Sequence, residues 1–574
     1  MLRTSWYLQP LMTLALCLGA LPAGAQTFKV QCPQKTTMHP NGDTVDAAHP
    51  GLVRCQQISG GDGFATMADG TQTYLFAFGP LSGLADIYNG KPGTQGQSVF
   101  NTVGPVGVGG PPTSLVGMPD GSFSFNGAIG LAPDPSVGDD PACDGSAAQP
   151  GYCATGLDGH VDPRPIMDVG VMNGSQPAPL MAIDEDDEFF LTLTNVGQIM
   201  RPDLFEQHTV HFHGYPNASG FYDGVPDASV AINIGGSFTY YYLAPDAGTY
   251  FWHCHITPPE HLQMGMVGQL YVRPRQNRVN GNLRTALFDL ETPPANPVSP
   301  TTEEYERLRK RCGTDILCGT PLPAVNAAAN NGARKYAYND GDGSTAYDVE
   351  YPLQMHGFDP NFHFVGMTFN PEPFVDLKDK YFLLNGRSYP DTVGGYKCQS
   401  GDRLPACAGH AGGDVVAGPM QTQSTDGTLH ASQPLPAVIN IPLGGRALLR
   451  ISDLNVTEFH TLASIGIAMH VIAVNARLLR DQDGTNMAYD SNSITLGGGE
   501  SLDVILDACS SRGTDGTCNA AGNTYQAGQK FYLYTPQLDH LSNDAENFGG
   551  MMTEVNICTS VNPDTKVGQG CPST

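Results

Sequence analysis

Basic residues are scarce in this chain. Its 574 residues include 29 Lys and Arg against 56 Asp and Glu, a formal net charge of -27. Such a surface repels nucleic acid and anionic membranes, concentrates cations weakly, and keeps a protein soluble. Long apolar runs are also missing beyond the N-terminus. Nothing later approaches the roughly eighteen consecutive apolar residues of a spanning helix, so no membrane span is expected. Alanine-rich and heptad-like stretches are few, whereas 69 Gly and 45 Pro punctuate the sequence. The composition favours strands and turns, and the expected fold class is all-β, in more than one domain.

What is present begins with an export signal. Residues 1–25 carry Arg3, an apolar run from Leu11 to Leu21 and the small triplet Ala23-Gly24-Ala25, the pattern of a secretory leader cut before Gln26. A secreted or periplasmic protein is expected. Cysteine usage agrees: apart from Cys17 and Cys254, twelve cysteines fall into neighbour pairs, Cys32/Cys55, Cys143/Cys153, Cys312/Cys318, Cys398/Cys407, Cys509/Cys518 and Cys558/Cys571. Nearest-neighbour disulfides are the expectation in an oxidising compartment. Cys254 is left over, and a free thiol there needs a reason such as metal ligation.

Four regions follow the leader. Residues 26–164 read as an irregular, strand-poor Gly/Pro-rich N-terminal extension. Residues 165–275 hold dense strand signals, "FFLTLTNV", "HTVHFHG", "VAINI", "SFTYYYLA", "GTYFWHCHI" and "GMVGQLYV", spaced as in a Greek-key β-sandwich. Residues 276–334 read as a linker with one short helix at "TTEEYERLRKR". Residues 335–561 form a second β-rich domain, with a tail at 562–574.

The chemistry is concentrated in the first sandwich. Strand alternation puts His211 and His213 on one face of "HTVHFHG" and His208 on the other. In "HCH" it puts His253 and His255 on one face and Cys254 on the opposite one. His261 and Met266 follow on a loop that can return to the cysteine side. Two imidazoles, a thiolate and a thioether are the ligands of an electron-transfer copper, and four imidazoles suit an oxygen-reactive copper. Structural zinc normally takes CxxC or HxxxH spacings and has no use for the methionine. Elsewhere a single histidine, such as His39 or His430, is read as a core or surface residue.

These motifs resemble those of the multicopper oxidases of the cupredoxin superfamily, in their two-domain bacterial form. "HTVHFHG" is similar to the family's HxxHxH motif and "HCHITPPEHLQMGM" to its HCH…H…Met motif. "LLNGRSYPDT", "PLGGRALLRISDLN" and "LGGGESLDVILDA" extend the likeness into the second domain. The resemblance implies two cupredoxin-like Greek-key sandwiches. His208, Cys254, His261 and Met266 would bind type 1 copper, and His211, His213, His253 and His255 would belong to a type 2/type 3 cluster reducing O2 to water. The reductant would be a small molecule or a metal ion.

Two features depart from the family pattern. Five residues, "ITPPE", separate His255 from His261, and no second pair of HxH motifs exists to complete eight cluster histidines. Where the first domain has its HCH block the second has "YTPQ", so it is expected to lack type 1 copper. His460, or His356, His363, His470 or His540, could lend a ligand across an interface, and a homo-oligomer, a trimer or a two-fold assembly, is expected. Two other readings stay open. One is a copper nitrite reductase with type 1 and type 2 copper, although His211 stands where those enzymes carry an acid. The other is a type 1 electron-transfer protein without enzymatic activity.

Overall fold

The computed structural model describes residues 30–44, 51–102, 125–131, 163–214, 219–244, 246–278, 335–340, 342–363, 373–401, 404–423, 429–481, 484–513 and 516–572. The expected leader, the helix at 301–311 and the pairs Cys143/Cys153 and Cys312/Cys318 lie outside these residues. Among the described residues no helix is long and apolar enough to cross a membrane. The other four cysteine pairs form the expected disulfides, and Cys254 is free and buried.

Two β-sandwiches repeat one strand plan. In the first, one sheet runs Gln72–Pro80, Val53–Thr66, Glu188–Gly197, Ser237–Leu243. The facing sheet runs Met181–Asp184, Val267–Arg273, Gly248–His253, His211–Phe212. Ile58, Phe76, Leu191 and Tyr240 from one meet Phe212, Trp252 and Leu270 from the other. The second sandwich has Tyr381–Leu384, Val349–Phe358, Arg446–Asp453, Ser501–Asp507 and Met469–Val474 in order, against Ile439–Pro442, Met552–Cys558, Lys530–Tyr534, His460–Ile465 and Ser493–Leu496. Even the parallel pairings correspond. Val53–Thr66 lies parallel to Glu188–Gly197 as Val349–Phe358 does to Arg446–Asp453, and Met181–Asp184 to Val267–Arg273 as Ile439–Pro442 to Met552–Cys558.

The N-terminal region corrects the expectation of a strand-poor extension. Val53–Thr66 and Gln72–Pro80 are integral to the first sheet and carry part of its core. The glycines of "SGGDG" read as loop in sequence, yet here they permit close approach. A Cβ on Gly61 would fall 2.6 Å from Val196, and one on Gly63 2.3 Å from the Gly174 carbonyl oxygen. The expected tail is likewise tied down, since Gly568–Gln569 pairs with Ser560–Val561 beside the Cys558–Cys571 bridge.

The sandwiches pack through Gly248–His253, which carries His253, and its neighbour Val267–Arg273. Thr249 donates to Asp503 at 2.6 Å, and Gln269 donates to the Arg450 carbonyl and the Ser452 hydroxyl. Arg450, fully buried, reaches Glu350 at 3.1 Å, and Arg273 of the first sandwich reaches the same carboxylate at 2.8 Å.

Candidate metal centre

"HTVHFHG" makes a shorter strand than its pattern suggests. His208 bridges to Ile232, while only His211–Phe212 joins the ladder with the cysteine strand. The register nevertheless sets His211 opposite His253 and Phe212 opposite Trp252, and His213 N–H donates to the Phe251 carbonyl at 2.8 Å. Imidazoles therefore line one face, and Trp252 with Cys254 turns into the core.

On the core side, donor atoms of His208, Cys254 and His261 lie within 4.8 Å of one another. His261 Nδ1 is 3.2 Å from Cys254 Sγ, which also accepts the Thr209 N–H at 3.4 Å. The "ITPPE" spacer, expected as loop, enters the helix Pro258–Gln263 with Pro258 at its start, where proline is tolerated. That helix delivers His261. Met266 is clasped by backbone bonds to both neighbours: it receives the Cys254 N–H at 3.1 Å and donates to the His261 carbonyl at 2.9 Å.

These side chains are dry and incompletely satisfied. His208, Cys254, His261 and Met266 are all fully buried. His208 Nδ1 has no hydrogen-bond partner, which is rare for a buried polar atom. Burial holds the His208 imidazole well below its usual value, with His261 adding to the effect. Burial also opposes charge on His261, but Cys254 and Glu206 outweigh it and raise that ring to about 9. The thiol is lowered in turn, His261 overcoming its burial. A thiolate and two imidazoles converging on one dry point, beside a buried thioether, fit copper.

On the opposite face His211, His213 and His253 form a second group within 4.8 Å. His213 and His253 approach Nε2 to Nε2 at 2.9 Å. His211 Nδ1 donates to the Asp223 carbonyl and His253 Nδ1 to the Cys254 carbonyl, both at 2.6 Å, so each Nε2 lone pair faces its neighbours. His255 completes the set, its ring 5.0 Å from that of His211 and 5.5 Å from that of His253. Burial first, then His211 and His255, push His213 down to about 4. Neutral imidazoles so crowded are poised to share a cation. Six of the eight predicted residues thus fall into two donor groups back to back on one strand pair, with the His255 ring beside the second and Met266 tied by its backbone to Cys254 and His261 of the first.

His460 sits elsewhere, fully buried in the second sandwich with Phe382 and His540 as ring neighbours. His356 bonds Gln176, and His363 stacks on Phe358. Sequence patterns missed the supporting residues. Glu206 stands 3.5 Å from His261 Nε2, and Phe76 lies edge-on to the same ring. Gly60 leaves room for His208, since a Cβ there would meet the imidazole at 2.6 Å. Glu206 is two residues from the motif and open to suspicion; Gly60 and Phe76 carry no local signal.

Comparison with known proteins bears on the same segment. Residues 159–277 match the family model described as multicopper oxidase. Laccase abr2 of Aspergillus fumigatus is 34% identical over 109 residues, 19% of this chain and 17% of that protein. A copper-containing nitrite reductase of Rhizobium meliloti is 34% identical over 122 residues, 20% of this chain and 29% of that one. The chain thus spans less than a third of either relative. A blue copper oxidase structure from Nitrosomonas europaea aligns at 19% identity over 67% of this chain and 77% of that one, with a TM-score of 0.38. Both ligand groups, His208 to Met266, lie inside the segment, residues 159–277, that matches the multicopper oxidase model.

Proposed function

We propose that the chain is a copper oxidoreductase of the multicopper-oxidase type, oxidising a reducing substrate by single electrons and reducing O2 to water. The observation carrying this reading is the placement of Cys254 between His253 and His255, thiol on one side of the strand and imidazoles on the other. His208, Cys254, His261 and Met266 would hold type 1 copper, and His211, His213, His253 and His255 would hold type 2/type 3 copper. Copper bound there would supply one-electron transfer beside the thiolate and oxygen reduction among the imidazoles. The residues contribute the rest. Core packing around Cys254 excludes water, the Asp223 and Cys254 carbonyls orient the rings, and the peptide chain joins the two groups through the shortest covalent route.

Phe205, exposed and next to Glu206 in the chain, adds an apolar surface beside the carboxylate that stands 3.5 Å from His261. Apolar contact beside a carboxylate suits a small organic reductant or a metal cation. Four imidazoles are half of the eight that the family resemblance requires, so a homo-oligomer supplies the rest in this reading. Four disulfides support an exported, secreted or periplasmic protein.

Elemental analysis of copper per chain, with visible and EPR spectra and O2 uptake from an artificial donor, tests the proposal. More than one copper per chain and O2 consumption are expected; one copper and no O2 uptake would overturn it. A second reading, nitrite reduction, is favoured by the nitrite reductase match being as high in identity as the laccase match. Nitrite consumption without O2 consumption would select it.

A further inference from the structure

The second sandwich repeats the copper corner of the first, bond for bond, with one replacement. Thr535 N–H donates to the Met551 carbonyl at 3.0 Å and Met551 N–H to the His540 carbonyl at 3.1 Å. Cys254, Met266 and His261 make the same two bonds. Glu458, two residues before His460, stands 3.4 Å from His540 Nε2, as Glu206, two residues before His208, stands near His261. Phe382 stacks on His540 at 3.8 Å from the strand equivalent to the one carrying Phe76. Cys254 alone has no counterpart in kind, because Thr535 occupies its place.

The imidazoles at this second corner are only half satisfied, His460 Nε2 meeting the Asn455 amide at 3.3 Å. Nδ1 of His460 and Nδ1 of His540 are buried without a hydrogen bond. The side chains are 0% and 3% exposed. Asp453, also buried, comes no closer to His460 Nδ1 than 3.4 Å. Donor atoms of Glu458, His460 and His540 lie within 4.8 Å of one another. Three ligands, two imidazole and one carboxylate, form a donor set for a borderline divalent cation.

We propose that the second domain is a mononuclear metal site, holding a divalent ion such as Zn²⁺ through His460, His540 and Glu458. Thr535 faces the same corner, and its hydroxyl in place of a thiol removes the soft ligand that stabilises Cu(I). The site is therefore redox-quiet and lies off the electron route, its work being to fix the second sandwich. It stands on second-domain residues alone, so it survives or fails independently of the oxidase reading.

The test uses the full chain, stripped with a chelator and titrated with Zn²⁺ alone, with bound metal counted by elemental analysis. Wild type is expected to bind one more equivalent than His540→Gln. Glu458→Gln, an exposed change that leaves folding intact, should bind that equivalent roughly tenfold or more weakly, as when a supporting carboxylate is lost. Equal zinc content in wild type and both variants would overturn the proposal. Thr535→Cys gives an independent readout with Cu²⁺. A second thiolate–copper absorption band added to that of the first domain is expected, and its absence from a folded variant would equally count against a metal corner.

Discussion

At the scale of single residues the copper corner depends on atoms that are absent. Gly60 has no Cβ, and His208 occupies the space one would take, 2.6 Å away. Gly60→Ala must displace the ring or the strand, at a cost of about 1–3 kcal/mol for overpacking. Its sharper effect is on the metal. Copper at the thiolate should weaken on the order of 10- to 100-fold, the loss seen when a contact that orients a ligand is disturbed. Copper titration followed by the thiolate absorption measures this, and unchanged affinity would refute the role given to Gly60. Asp223 holds His211 Nδ1 through its backbone carbonyl at 2.6 Å, with its carboxylate at 3.4 Å from the same nitrogen, so Asp223→Asn should keep the ring oriented by the carbonyl.

At the scale of elements, the turn preceding Ser501–Asp507 reaches from the second sandwich to the histidine face of the first. Gly499 has a φ of +91°, and a Cβ on it would lie 2.8 Å from His213 Nδ1. Gly499→Ala should strain the turn and push His213 from His253, lowering copper bound at the imidazoles while the thiolate band stays. EPR of the loaded protein separates the two. The strands Val53–Thr66 and Gln72–Pro80 predict a second outcome: deleting residues 26–164 strips half of one sheet, exposes Trp252 and its neighbours, and should yield aggregated protein by size-exclusion chromatography.

That deletion also shows what the sequence could and could not reveal. Alternation in "HTVHFHG" and "HCH" was enough to sort six ligands onto two faces, because strand geometry has a fixed period; His261 and Met266 came only from the resemblance and the short loop. The strand Val53–Thr66 was illegible because its glycines serve close packing against Val196, Gly174 and His208, and single-chain patterns assign glycine to turns. The second metal corner was hidden for another reason. Its cysteine is replaced, and His460 and His540, eighty residues apart in sequence, were expected only as single ligands lent across an interface, not as a pair within one domain.

At the scale of the whole molecule, the two sandwiches are joined by a buried ion cluster. Arg273 comes from the first and Glu350, Arg450 and Asp503 from the second, with Arg450 fully buried and 3.6 Å from Asp503. Burial alone would raise the Glu350 carboxyl; Arg273 and Arg450 outweigh it and hold it far below the usual carboxylate range. A depressed folded-state value means that its contribution is complete above the unfolded value of about 4.3 and is lost as pH falls through the folded one. Glu350→Gln removes the charge shared by two arginines and leaves Arg450 only Asp503. It should cost about 3 kcal/mol at neutral pH, the low end for breaking a buried pair, since Asp503 compensates in part. Below about pH 4 the gap between wild type and variant should narrow, because the unfolded-state carboxylate takes up a proton that the native one still refuses. Urea unfolding of the two proteins at neutral pH and in acid measures both effects. If the sandwiches lean on this cluster to hold Gly499 against His213, the variant should also lose imidazole-bound copper before thiolate-bound copper. Parallel loss of both would place the damage in the first sandwich instead.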